Sequence, residues 1–429
     1  MGKNPINDPM NCFKSIFTCA LFLVLFSCEN TGSSGTCVDG IQNGNEAGVD
    51  CGGDCPPCLN AFTIAGNVQK GPFLNGSSVL ASALDSSLTP LGATFNTQIL
   101  DNSGYFGFNN LQLPFSFLAI RADGFYFNEV CGEQSAAQIT LNALLDLTSA
   151  GPANVNTITH LEKARIEYLV AGGMGFSDAK SKAMKEVLAI FEVDTTQNFP
   201  PAQLLDIANS SYADGVLIAI TSILQGYRTV SEFSDLMANI TTDIRTDGTL
   251  DSPTLGAKLR AHAAVIDTNA IKQNIIDRYL DLGITVAVPN FGQHVTNYLN
   301  NTSHTTGEDI IDYPETGLAG TNLLNATDSI YSTANQFYSF AAKRPNDCVG
   351  LSVKISKMGG SCTYCWFYSL GSGQNWAASS YDATTYSQTY TSLGLDADLS
   401  VGFESGTFKL EFFLNGNSTP YRTKVISVN

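Results

Sequence analysis

The chain is poor in charge: Asp, Glu, Lys and Arg make up 14% of its 429 residues. Basic residues number 22 against 39 acidic ones, and they are scattered. Nucleic acid is thereby excluded as a partner, because phosphate contacts need clustered Lys and Arg. No apolar run reaches about 18 residues, the length a helix needs to cross a membrane. Histidine is scarce, limited to His160, His262, His294 and His304, and none lies in a His-Glu-x-x-His pattern. Gly-x-Ser-x-Gly, a phosphate loop and a dinucleotide fingerprint are all missing. Gly172-Gly173-Met174-Gly175 reads as a helix-ending turn. The expectation is therefore a protein that is not an enzyme. A hydrolase whose carboxylate pair is distant in sequence stands as an alternative.

What is present begins at the N-terminus. Lys14 precedes an apolar run from Ser15 to Phe26, a signal-peptide core too short to span. It ends in Leu25-Phe26-Ser27-Cys28, with an apolar residue at −3 and a small one at −1 before the cysteine. This resembles a bacterial lipobox. The resemblance implies a lipoprotein signal over residues 1–27, acylation of Cys28, and a tether over residues 28–36. A plain secretory signal with an incidental cysteine is the competing reading. Loss of Lys3, Lys14 and Asp8 would move the net charge from −17 to −18. Such a body is repelled by anionic lipid and should stand off the membrane on its tether. The expected place is the outer membrane, lipid-anchored, on the cell surface.

Eight of the 11 cysteines lie beyond Cys28. Residues 37–58 read CVDGIQNGNEAGVDCGGDCPPC and contain almost nothing apolar. Two disulfides among Cys37, Cys51, Cys55 and Cys58 must replace a core, and three pairings are open. Asp39, Asn43, Asn45, Glu46 and Asp50 are hard oxygen donors interleaved with glycine, a set that suits Ca²⁺ as cofactor. A solvated turn region is the alternative, and a four-cysteine zinc site a distant one. The segment resembles a short Cys-Asp-Gly…Asp-Cys-Gly-Gly…Cys…Cys module of exported Bacteroidetes-type proteins, which implies a spacer or display element. Among Cys348, Cys362 and Cys365 a structural disulfide is expected, leaving one cysteine for Cys131 or free. Cys131 itself reads as a small buried residue.

The body divides into three by periodicity, giving a multidomain α and β fold. Residues 61–150 read as short strands and turns, a small antiparallel sandwich. Ile64 to Val68, the Asp101…Gly104-Tyr105-Phe106 turn and Phe115 to Ala122 resemble carboxypeptidase-regulatory-like domains of the transthyretin type. Residues 153–305 switch to a 3.6 period and predict a bundle of about six helices, with Tyr212 to Tyr227 as its buried centre. Lys70-Gly71-Pro72-Phe73, Phe125 to Val130 and Thr159 to Glu162 together resemble a group of uncharacterised bacterial lipoproteins that joins these two parts. Residues 311–429 return to alternation, predicting a second sandwich or jelly-roll.

Both tryptophans fall in that last part. Trp366, Trp376, Tyr381, Tyr386 and Tyr390 supply flat apolar faces amid hydroxyl side chains, as a glycan or protein ligand requires. They are the candidate ligand-binding residues; packing within the sheets is their ordinary alternative. Asp328-Ser329-Ile330 resembles an O-glycosylation acceptor of Bacteroidetes-type exported proteins, with Ser329 the modified residue. The function expected is binding or adhesion. The alternative is an accessory subunit docked on an outer-membrane barrel protein.

Overall fold

The computed structural model describes residues 37–196 and 199–305, and beyond them the strands between Ser329 and Val428 with Cys348, Asn415 and residues 417–421. Cys28, Cys362, Cys365 and Tyr381 lie outside the described residues. Chain contacts divide the protein into two compact units, Met1–Cys58 and Leu59–Asn429.

The larger unit mixes α and β structure. Its first strands are β1 (Asn60–Gln69), β2 (Ser78–Leu84), β3 (Pro90–Gln98), β4 (Tyr105–Leu113) and β5 (Phe117–Gly124). Short strands β6 (Phe127–Asn128) and β7 (Glu133–Gln134) follow, then β8 (Ile139–Asp146) and β9 (Val155–Asn156). Antiparallel pairing builds a four-stranded sheet, β3-β2-β5-β8. A second sheet, β4-β1-β9, is antiparallel except where β9 runs parallel to β1. Alternation sets the faces: Val79, Ala81 and Ala83 of β2 and Leu118, Ile120 and Ala122 of β5 are all buried.

Seven α-helices follow among the described residues: α1 (Thr157–Ala171), α2 (Phe176–Ile190), α3 (Tyr212–Gln225), α4 (Val230–Asp243), α5 (Pro253–Ala263), α6 (Thr268–Asp281) and α7 (Gly292–Asn301). Their ends follow local chemistry. Ser211 with Asp214, and Thr229 with Glu232, form reciprocal capping boxes on α3 and α4. Pro253 begins α5 behind the Ser252 cap, and Asp267 caps α6. Gly283, at φ 74°, follows the end of α6. From Ala213 to Gln225 every residue of α3 is buried, so this helix is the centre of the helical segment. Its apolar side chains join those of the strands in one continuous core. At roughly 2 kcal/mol for each fully buried large aliphatic side chain, this burial is the main source of the unit's stability.

The C-terminal strands are β10 (Ser329–Ile330), β11 (Phe337–Ala341), β12 (Leu351–Gly359), β13 (Trp366–Ser369), β14 (Asn375–Trp376), β15 (Thr385–Tyr390), β16 (Asp398–Gly402), β17 (Gly406–Leu414) and β18 (Arg422–Val428). They form two sheets, β10-β18-β17-β12-β15 and β11-β16-β13-β14. All their pairings are antiparallel except β10 with β18. Leu414 is buried in the shared core, and the Asn415 side-chain amide donates to the Tyr227 hydroxyl. No helix among the described residues is long and apolar enough to cross a membrane.

Candidate functional site

In the smaller unit, disulfides join Cys37 to Cys55 and Cys51 to Cys58. The two bonds interlace, each closing over one cysteine of the other. The five candidate calcium ligands are turned onto their own module. Asp50, at φ 56°, accepts from the backbone N–H of Asp39 at 2.9 Å and of Gly40 at 3.0 Å. Asp39 accepts from Ile41 N–H and from the Asn43 amide. Glu46 accepts from Asn43 N–H, and Asn45 bonds both the carboxylate and the backbone N–H of Asp54. One group of potential metal donors converges among the described residues, with Cys37, Glu46 and Cys55 within 4.8 Å of one another. Its two cysteines are oxidised to each other, so neither offers a thiolate.

In the larger unit, two stretches named from the sequence meet in space. Lys70-Gly71-Pro72-Phe73 lies against Phe125 to Val130: Phe73 bridges to Tyr126, and Phe127 N–H donates to Pro72 C=O. Gly71 sits on the Phe127 carbonyl so closely that a Cβ would meet it at 2.1 Å. Lys70 Nζ contacts both carboxylate oxygens of Glu129, at 2.8 and 2.9 Å, with side chains 0% and 2% exposed. The rings of Tyr126 and Phe233 flank the ammonium. Burial pulls Lys70 down to about 8, against the opposing pull of Glu129. Burial likewise pushes Glu129 up, against Lys70.

A second buried pair, Lys180 with Glu162, ties α2 to α1 at 2.7 Å, and Lys180 also donates to Leu144 C=O. Arg165 grips Glu186 through Nε and Nη2 and reaches Thr246 C=O through Nη1. Three histidines make contacts within the fold. His262 Nδ1 accepts from Tyr227 N–H at 2.9 Å, and His160 lies 3.3 Å from the Asn142 amide. His294 packs edge-on to Tyr212. Burial, then Lys163, brings His160 down to about 4; burial, then Arg228 and Lys258, takes His262 well below its ordinary value.

Clefts open on this unit among the described residues. One of about 710 Å³ runs along α2, walled by Lys182, Lys185 and Glu186 and faced by Asp247 and His304. Another, about 370 Å³, lies between the Asp101–Gly104 turn, the β6–β7 hairpin and α6. Arg278 reaches into it from α6, stacking at 5.3 Å from the Phe127 ring and donating from Nη2 to Asn102 C=O. Its Nε–H is buried without a protein partner. Burial lowers its pKa, with Asp281 acting in opposition.

Cys131, at the hairpin turn, is bonded to Cys348 across 217 residues. Cys348 is thus the cysteine left over for Cys131, while Cys362 and Cys365 lie outside the described residues. The candidate aromatics divide between two sheets. Trp366 and Trp376 are in β13 and β14, where Trp376 pairs with Phe367. Tyr386 and Tyr390 are in β15, paired with Ile355 and Leu351. Ser329, in β10, pairs with Ser427. Sequence reasoning missed Lys70, Glu129 and Arg278 as a connected set. The quoted stretches around Lys70 and Glu129 were the available signal, but their pairing spans 59 residues. No protein-family model matches this chain, and no curated protein matches it.

Proposed function

We propose that the protein is a surface lipoprotein of the outer membrane, anchored through Cys28, that acts in binding or adhesion without catalysing a reaction. The observation that carries this is the interlaced disulfide module directly after the candidate anchor. Disulfides of this density belong to an oxidising, exported setting. A spacer without a hydrophobic core, whose acidic groups are engaged by its own backbone, suits display better than chemistry. In this reading a small transthyretin-like sandwich and a helical bundle carry a C-terminal sandwich or jelly-roll. Mass spectrometry of the mature N-terminal peptide, with protease shaving of intact cells, tests the proposal. An acylated Cys28 and shaved body peptides are expected. An unmodified Cys28, or a body protected until the outer membrane is opened, defeats it.

A further inference from the structure

The bond between Cys131 and Cys348 closes a loop of 217 residue steps. The helices α1 to α7, from Thr157 to Asn301, lie inside that loop, together with β7 to β11. Outside it are two stretches with separate parts in the binding reading. On one side stand the candidate anchor Cys28, the disulfide module and β1 to β6. On the other are the candidate ligand residues Trp366, Trp376, Tyr386 and Tyr390, in β13, β14 and β15. A pull on a bound ligand against the anchor has to cross from the second stretch to the first. Leu414 in the shared core and the Asn415 amide on the Tyr227 hydroxyl also join the C-terminal strands to the helices. Those contacts are noncovalent and separate under sustained tension. The disulfide does not, and it gives the pull a route past the helices.

The place where this bond meets the body suits such a role. Cys131 follows Glu129 by two residues, and Glu129 holds Lys70, the residue directly after β1. Cys131 therefore sits beside the far end of the strand whose near end, Asn60, receives the chain from the module. Tension between Leu59 and Cys131 runs along β1. That strand pairs with β4 from Asn60–Leu113 to Asn67–Tyr105, and with β9 at Val68 and Gln69. Antiparallel ladder bonds stand perpendicular to the strands, so a pull along β1 strains the β4 ladder as a whole and not one bond after another. The hairpin is tied to the same end. Phe127 N–H donates to Pro72 C=O, Leu74 N–H to Phe125 C=O, and the Asn274 amide to Glu129 C=O at 3.0 Å. Lys70 and Glu129 are buried, so water does not compete for their contact. Forced unfolding is governed by the unfolding barrier, and the ladder and this pair both have to break on the way over it.

We propose that the Cys131–Cys348 bond is a tension clasp: it carries force from the C-terminal ligand-binding strands to β1 and the tether, and keeps the helices out of the force path. The source of the force rests on the binding reading. The test is single-molecule extension of the full mature chain, pulled between handles placed before Cys37 and after Asn429. Loss of the bond frees about 760 Å of chain, at roughly 3.5 Å for each of the 217 steps. The module's own bonds close 18 and 7 steps and are told apart by length. The oxidised chain should not gain the long extension before rupture. Cys131→Ala combined with Cys348→Ala should gain it, at a lower force than the first yielding of the oxidised body, with α3 protected from hydrogen exchange at rest as in the parent. Reducing the parent during the pull should add the same length, a measurement that holds even where the variant folds poorly. The long extension in the oxidised chain, or an unchanged yield force once the bond is gone, overturns the inference. The measurement uses purified protein and is independent of acylation and shaving. An unmodified Cys28 with the expected force record would refute the lipoprotein reading and leave the clasp standing.

Discussion

The two units reach order by opposite means. Between Cys37 and Cys58 one residue alone, Glu46, is buried, and covalent bonds fix the chain. In the Leu59–Asn429 unit a continuous apolar core does that work, and is large enough to hold ionised pairs inside it. The contrast shows what a carboxylate does when no core is available. Asp39, Glu46 and Asp50 accept from nearby N–H groups and shape turns, whereas Glu129 and Glu162 each meet a lysine in the interior.

Reduction should break this comparison most severely. The module's two bonds, closing 18 and 7 residues, contribute about 5 kcal/mol together on a chain-entropy estimate. With no core behind them, mild reduction should abolish hydrogen-exchange protection throughout residues 37–58 while α3 stays protected. Retained protection in the reduced module would show a source of order other than the disulfides.

The next effect concerns the buried pair. Lys70→Met leaves Glu129 buried without its counter-charge and should cost about 3–5 kcal/mol by denaturant titration. Lys70→Met combined with Glu129→Leu removes both charges and should recover much of that loss. Equal losses in the single and double variants would mean that shape, not charge, governs the locus.

Acid sharpens the contrast further. His160 stays neutral in the fold until about pH 4, and the unfolded chain takes up its proton near 6.5. The unfolded state therefore binds more protons across that window, and stability falls as pH drops from about 6.5 to about 4. His262 acts in the same direction. A loss of about 3 kcal/mol is expected for His160, flattened in His160→Gln and read from melting against pH. The module contains no histidine, so no histidine contributes to its behaviour over this range. The smallest effect is a cap: Thr229→Ala removes the α4 capping box and should cost about 1 kcal/mol, checked by thermal melting.

Local rules reached far into the larger unit. The apolar run from Tyr212 identified α3, Ser252-Pro253 marked the start of α5, and Gly172 closes α1 as expected. Helix α2 begins at Phe176 behind Gly175, which offers no side-chain cap. Strand β8 went unread because Ile139 to Asp146 carries three apolar residues in succession and loses clean alternation. Helix α7 was missed for the opposite reason, since Gly292–Asn301 is mostly polar and buries only Val295 and Tyr298. The pocket was illegible because nothing local marks Arg278. Its significance depends on a turn at Asn102 and a hairpin at Phe127, which the chain brings together over some 150 residues or more.

The interlaced pairing has a consequence for how the chain matures. A polypeptide delivered amino-terminus first into an oxidising compartment presents Cys37 and Cys51 before Cys55 and Cys58. Neither native bond of the module joins neighbours in that order. Cys131 must then wait through 217 further residues for Cys348, with four earlier thiols available to capture it. An oxidant acting on thiols in order of emergence produces the wrong isomers. Correct maturation calls for a catalyst of disulfide exchange, and its loss should appear as scrambled, protease-sensitive protein.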